Sequence, residues 1–187
     1  MAKRVLDIFV SAFGILLFII PLIICAALIR ITSPGPSVYW SERVGKGSRT
    51  FKMPKLRTMY LATPQVPTDR LDNPDVHITW LGRYLRKMSI DELPQLFSVL
   101  IGEMSLVGPR PVLATQWQII DKRKRVGVDE VKPGITGWAQ INGRDNLTEN
   151  EKVRLDLEYK ERQSMLLDLQ ILWRTIFYVW KSKGVWH

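Results

Sequence analysis

With 187 residues, a formal charge of +9 and seven tryptophans, the chain has the size of one domain with a sizeable core. Its charge calls for an anionic partner: nucleic acid, acidic lipid or a phosphorylated substrate. The single cysteine, Cys25, excludes a disulfide framework and a cysteine-based metal site, and two distant histidines, His77 and His187, exclude a zinc cluster.

Phe9 to Ile29 runs twenty-one residues without a charge, between Lys3, Arg4 and Asp7 on one side and Arg30 on the other. That length fits a bilayer-embedded helix, which needs ~20 apolar residues. It is too long for the apolar core of a cleaved signal, and no small-x-small cleavage site follows. Ile24 precedes Cys25 where a lipoprotein signal has a small residue. Basic residues flank both ends, so the positive-inside rule sets no orientation. Pro21, near the middle, removes a hydrogen bond and marks a helix break. A kinked helix that spans the bilayer and a bent helix that enters and leaves by one face fit these residues about equally.

Ser33-Pro34-Gly35-Pro36 ends that helix. Val38–Trp40 and Thr50–Lys55 read as short extended segments around a turn at Gly45–Gly47, a hairpin. Arg43, Lys46, Arg49, Lys52, Lys55 and Arg57 make the hairpin strongly basic, suited to anionic lipid or to phosphate. Ala62–Asp75, rich in Pro, Asp and Asn, reads as a loop.

Arg86–Gln95 is the most informative stretch. Two adjacent carboxylates, Asp91 and Glu92, follow Arg83, Arg86 and Lys87 and precede Leu93, Leu96, Phe97 and Leu100, the spacing of one helical face. Pro94 belongs in a first turn, where its missing N–H does no harm. The carboxylates therefore stand at or just before a helix N-terminus, where the dipole favours ionised carboxylates and receives phosphate. A plain N-cap role for Asp91 fits the same residues.

Downstream, Arg110 is held between Pro109 and Pro111 with Gly108 before them. Such a stiff turn presents a guanidinium for bidentate phosphate binding at little backbone entropy, although a rigid turn with a solvated arginine has the same sequence. Leu113–Val126 reads as a helix ending in basic residues, and Lys132–Arg144 as a structured loop. Glu149–Gln163 reads as a charged helix. Asp168–Lys183 reads as an amphipathic helix with an aromatic stripe that suits a membrane interface.

Several segments together carry a resemblance. They are Lys3-Arg4…Asp7 with the apolar segment, Thr32–Pro36, Glu42-Arg43-Val44-Gly45, Phe51-Lys52…Lys55–Met59, Leu81-Gly82…Leu85-Arg86, Asp91–Gln95, Ser105…Val107–Pro111 and Lys132–Gly137. In this order, over nearly the whole chain, they are similar to the bacterial sugar transferases, the monotopic polyprenyl-phosphate phosphoglycosyl transferases in their minimal catalytic form. Ile20 departs from the pattern, since members commonly carry Ser before the helix-break proline.

The resemblance implies a helix-dominated α+β fold: a membrane-embedded re-entrant helix over residues 1–36 and a catalytic domain with short strands and interfacial helices over 37–187. It implies an enzyme of the bacterial inner membrane, its catalytic domain on the cytoplasmic face. Asp91 attacks the β-phosphate of a UDP-sugar, UMP leaves, and polyprenyl (undecaprenyl) phosphate takes the phosphosugar from the aspartate. Mg²⁺ is the implied cofactor, held by Asp91 and Glu92. Arg86, Arg110, Lys55, Arg57 and Arg144 are the implied substrate-binding residues. UDP-sugar, polyprenyl phosphate and membrane phospholipid are the implied partners, with no role for nucleic acid. The chemistry is coherent if the helix N-terminus and neighbouring arginine keep the nucleophile ionised. A membrane-anchored nucleotide-sugar hydrolase and a non-enzymatic binder of anionic lipid or nucleic acid are the rival classes. The identity of the sugar is not legible.

Overall fold

The computed structural model describes residues 2–64, 66, 71–143 and 146–181, with side chains to residue 177. Its first element, α1, runs from Ala2 to Thr32 and so extends beyond the charge-free stretch at both ends. The polar residues before that stretch are helical because each finds a partner on the body of the protein. Lys3 donates to the Val107 carbonyl at 3.0 Å and pairs with Asp168 at 2.6 Å. Arg4 donates to the carbonyls of Val99 and Leu100 at 2.6 and 2.8 Å. Asp7 accepts from the Ser105 hydroxyl and the Leu106 N–H at 3.1 and 3.0 Å.

The expected break at Pro21 does not interrupt the helix, which continues through it. A proline removes one intrahelical N–H bond, and the long apolar runs on both sides carry the helix past that loss. Toward its C-terminus α1 packs Leu22, Cys25, Ala26 and the buried Ile29 against Leu56, Leu81, Leu85 and Ile90. Its other side is apolar and exposed, with Phe9, Phe13, Leu16, Ile20, Ile23 and Ile31 outward.

The expected hairpin is present and longer than its extended cores. β1 (Val38–Val44) pairs antiparallel with β2 (Thr50–Leu56), from Val38 opposite Leu56 to Val44 opposite Thr50. Three further strands had no signal of their own in the sequence. β4 (Val112–Leu113) adds to the free edge of β1, and β3 (Ser105–Val107) pairs in parallel with β5 (Gly134–Thr136). The β3–β5 approach needs glycine, since a Cβ on Gly108 would lie 2.3 Å from the Lys132 carbonyl oxygen.

The helices are α2 (Pro74–His77), α3 (Trp80–Lys87), α4 (Gln95–Ile101), α5 (Trp117–Arg125), α6 (Trp138–Ile141), α7 (Glu149–Glu161) and α8 (Met165–Lys181). The helix expected from Leu113 starts only at Trp117, because Val112 and Leu113 are drawn into the sheet. The loop expected over Lys132–Arg144 contains β5 and α6. α7 opens with a capping box, in which Thr148 and Glu151 satisfy each other's backbone N–H groups.

The fold is helix-dominated α+β, as expected, and its main core lies between β3, α4, α7 and α8. Val99, Met104, Leu106, Val107, Ile141, Tyr159, Leu167 and Ile171 are buried there. Tyr159 and Asp168 hydrogen-bond across the α7–α8 corner at 2.6 Å, and Lys3 reaches both. One polar cluster thus ties the start of α1 to the last two helices.

Candidate active site

Asp91 and Glu92 lie in a 3₁₀ turn, Ile90–Glu92, between α3 and α4. Ser89, in the left-handed region at φ 55°, turns the chain into it. Pro94 precedes the first residue of α4, and no side-chain hydrogen bond caps that helix. Asp91 is therefore not an N-cap, although it is buried, at 7% exposed.

The surroundings of the two acids differ sharply. Glu92 Oε1 accepts from Lys55 Nζ at 2.9 Å and from Arg110 Nη2 at 3.1 Å. Burial opposes its ionisation, but the Lys55 and Arg110 charges outweigh burial and hold its carboxyl well below the usual range. For Asp91 the balance is reversed. Burial and then the adjacent Glu92 charge push it up to about 6, against Lys55 and Arg86. The helix terminus and arginine expected to keep Asp91 ionised are thus opposed by burial and by the Glu92 charge. Glu92 captures the nearest cations, and Asp91 is left as the acid with the unmet charge.

The basic residues arrive from three directions. β2 brings Lys55, which the register sets opposite Tyr39 of β1. Two positions further along the same face of β1 is Arg43, whose guanidinium donates to the Ser41 hydroxyl at 2.9 Å and to the Pro111 carbonyl at 3.3 Å. Burial and the Arg110 charge pull Arg43 down to about 10, while Tyr39 and Glu92 act the other way. α3 brings Arg86, whose Nε donates to the Thr58 hydroxyl at 3.0 Å; burial lowers its pKa, against the Asp91 and Glu92 charges.

The Pro109-Arg110-Pro111 turn brings the half-exposed Arg110. All three carbonyls of this turn are held. Pro109 accepts from the Gly134 N–H, Arg110 from Arg123 at 2.8 Å, and Pro111 from Arg43. Four cationic side chains, Arg43, Lys55, Arg86 and Arg110, thus surround two carboxylates, an excess that suits a phosphorylated ligand.

Of the residues expected here from sequence, Asp91, Glu92, Lys55, Arg86 and Arg110 come together. Arg57 has a different job: it is buried, and it donates to the Pro34 carbonyl and to the carbonyl and hydroxyl of Ser33, both at 2.9 Å. It fastens the exit of α1 rather than facing the cluster. Arg144 lies outside the described residues. Arg43 was visible in sequence only as one of six basic residues on the hairpin, and the β1–β4 pairing is what singles it out. Among the described residues no three His, Cys, Asp or Glu side chains gather as a metal site, so two carboxylates are the acidic donors available.

A sequence model described as bacterial sugar transferase matches residues 1–182. The chain is similar to the uncharacterized sugar transferase EpsL of Bacillus subtilis, at 39% identity over 98% of this chain and 89% of that protein. It is similar to the exopolysaccharide production protein ExoY of Rhizobium meliloti, at 34% identity over 98% of this chain and 88% of that protein. It is also 39% identical to the UDP-glucose:undecaprenyl-phosphate glucose-1-phosphate transferase of Escherichia coli, covering 98% of this chain but only 41% of that longer protein.

Proposed function

The chain belongs to the bacterial sugar transferase family, and on that premise we propose that it moves a phosphosugar from a UDP-sugar to undecaprenyl phosphate and releases UMP. The observation that carries this reading is the division between two neighbouring carboxylates. Glu92 is pinned by Lys55 and Arg110, while buried Asp91, among the described residues, receives no hydrogen bond from another side chain. A carboxylate with little to hold it back is a competent nucleophile once ionised.

In the first step an Asp91 carboxylate oxygen bonds to the β-phosphorus of the donor. The bond from that phosphorus to the bridging oxygen breaks, and UMP leaves with the electron pair. In the second step a phosphate oxygen of the polyprenyl phosphate attacks the same phosphorus. The bond to Asp91 breaks, giving a polyprenyl diphosphosugar and the free carboxylate. Arg110, Arg86 and Arg43 neutralise charge on the phosphoryl oxygens, and Lys55 keeps Glu92 oriented and charged.

The donor set fits a magnesium ion. Asp91 is pushed up to about 6 partly by the adjacent Glu92, and a divalent cation relieves that repulsion between acids. Asp91 and the Glu92 oxygen not held by Lys55 and Arg110 would hold it, together with water and the donor phosphates. When bound it supplies charge neutralisation at the diphosphate.

The attachment of α1 supports a monotopic, re-entrant embedding, with both ends of the helix on one side of the bilayer. A straight helix of this length covers about 46 Å, more than the hydrocarbon thickness of about 30 Å. Yet Lys3, Arg4 and Asp7 bind the same body that receives Leu22, Cys25 and Ile29. A spanning helix would put those two ends on opposite sides of the bilayer. The exposed Leu166, Leu169, Trp173, Ile176 and Phe177 of α8 suit the surrounding interface, where the lipid acceptor resides.

The test is release of UMP from a panel of UDP-sugars by purified protein in lipid nanodiscs, with and without undecaprenyl phosphate. Multiple turnover only with the lipid, accompanied by a lipid-linked sugar, supports the transfer. Continuous release of sugar phosphate without the lipid would make the protein a hydrolase.

A further inference from the structure

Arg110 is held from behind by a buried ion pair. Arg123 in α5 places Nη1 2.8 Å from the Arg110 carbonyl, while its Nε and Nη2 both meet Asp156 Oδ2 in α7, at 2.9 and 2.6 Å. The two side chains are 11% and 2% exposed. Burying an ion pair gains little stability over apolar residues of equal volume, so the pair calls for another reason to be there.

The geometry supplies one. Pro109 and Pro111 fix their own φ angles, and Arg110, standing before a proline, is confined to extended backbone. What stays free is the direction of the Arg110 carbonyl, and with it the path of the side chain toward Glu92. Arg123 takes up that remaining freedom. Its planar fork serves Asp156 on one edge and the carbonyl on the other, which a hydrophobic pair does not reproduce.

We propose that Arg123 and Asp156 form a positioning pair, fixing the Pro109–Pro111 turn so that Arg110 meets Glu92 and the donor diphosphate. The pair acts through Arg110 and has no bond of its own to the substrate. It therefore rests on the reading of Arg110 as a phosphate contact. It links α5 and α7, which contribute no reacting group, to the precision of phosphoryl transfer.

The test is a double-mutant cycle on kcat/KM for UMP release with undecaprenyl phosphate present. Arg123→Met with Asp156→Leu removes the pair at similar volume. A loss on the order of tenfold to a hundredfold is the expected result, since misplacement of a charge stabiliser by about 1 Å has that effect. Adding the same two changes to Arg110→Ala should cost less than about twofold more, because the pair then has nothing to position. A purely structural pair would lower the melting temperature and multiply its loss onto that of Arg110→Ala.

Should the apolar pair fail to fold, Arg123→Lys takes its place in the cycle. It keeps the charge beside Asp156 but lacks the fork, and the same non-additive loss is expected. Full activity of the variant that folds, or losses that multiply, overturns the inference. Wild-type activity of Arg110→Ala alone would instead overturn the reading of Arg110 on which it rests.

Discussion

Lys55 Nζ lies 2.9 Å from Glu92 Oε1 and is not hydrogen-bonded to the neighbouring Asp91. This one choice of partner separates two adjacent acids of nearly identical chemistry. Glu92, with Arg110 also bound, becomes a fixed anion that orders the basic groups around it. Asp91, less exposed to solvent, carries a charge its surroundings leave partly unmet, and reactivity in the proposed mechanism follows from that difference.

The unmet charge has a pH signature. The folded pKa of Asp91, about 6, lies above its ordinary value, so between those two values the native state holds more of this proton than the unfolded state does. Stability from this group therefore falls as pH rises through that window. Asp91→Asn should raise the melting temperature at pH 8 by a few degrees, at about 2–4 °C per kcal/mol for a chain of this size, and the gain should vanish near pH 4. Wild-type UMP release should fall on acidification, as Asp91 takes up its proton. Melting scans and initial rates across pH 4.5–8 check both, and a variant less stable than wild type at pH 8 would contradict the first.

Arg110→Ala should lower kcat on the order of a hundredfold or more, as expected for losing a stabiliser of transferring charge. Its half-exposed side chain predicts little change in melting temperature. Arg110→Lys should recover only a small part, because a point charge does not reproduce bidentate phosphate contact. Initial rates at saturating donor measure this, and full recovery by lysine would mean that charge alone suffices.

Lys55, near the end of β2, and Arg57, just past it, are two residues apart and offer a contrast. Lys55→Met should abolish most turnover while leaving the fold intact, since it frees Glu92 to move. Arg57→Met should do the opposite. It strips the donors from the Ser33 and Pro34 carbonyls at the α1 exit and should lower stability by about 1–3 kcal/mol, with the KM for UDP-sugar unchanged. Thermal melts and Michaelis curves of the two variants distinguish them.

Both ends of α1 should face the cytoplasm. In a Cys25→Ala background, cysteines placed at Ala2 and at Pro36, both exposed, should resist a membrane-impermeant maleimide in intact cells and react after permeabilisation. Labelling of either one from outside would contradict the re-entrant reading.

Much of this was legible in the chain, and the boundary is physical. The apolar run, the hairpin around Gly45–Gly47 and the amphipathic stretches carry local periodicity, so α1, β1, β2, α4, α7 and α8 were visible. Asp91, Glu92 and Arg110 stood out because proline and charge mark them locally. Partnerships set by distant segments were hidden. Nothing near Ser105 announces a parallel pairing with Gly134, and that pairing is what brings the Pro109–Pro111 turn against the sheet. Buried polar partnerships were hidden for the same reason. Arg57, a basic residue of the hairpin that the resemblance implied as a substrate contact, showed its structural task only through its bonds to Ser33 and Pro34. Arg123 read as one of the basic residues that end a helix until Asp156, thirty-three residues on, gave it a buried partner.

The central claim, a phosphosugar carried on Asp91, is tested most directly by intact-protein mass measurement after mixing the enzyme with UDP-sugar in the absence of undecaprenyl phosphate. The account predicts a mass increase of one sugar phosphate, one UMP released per enzyme, loss of the adduct when undecaprenyl phosphate is added, and no adduct on a folded Asp91→Asn variant. Release of UMP only when both substrates are present, or an adduct that persists in Asp91→Asn, would contradict it.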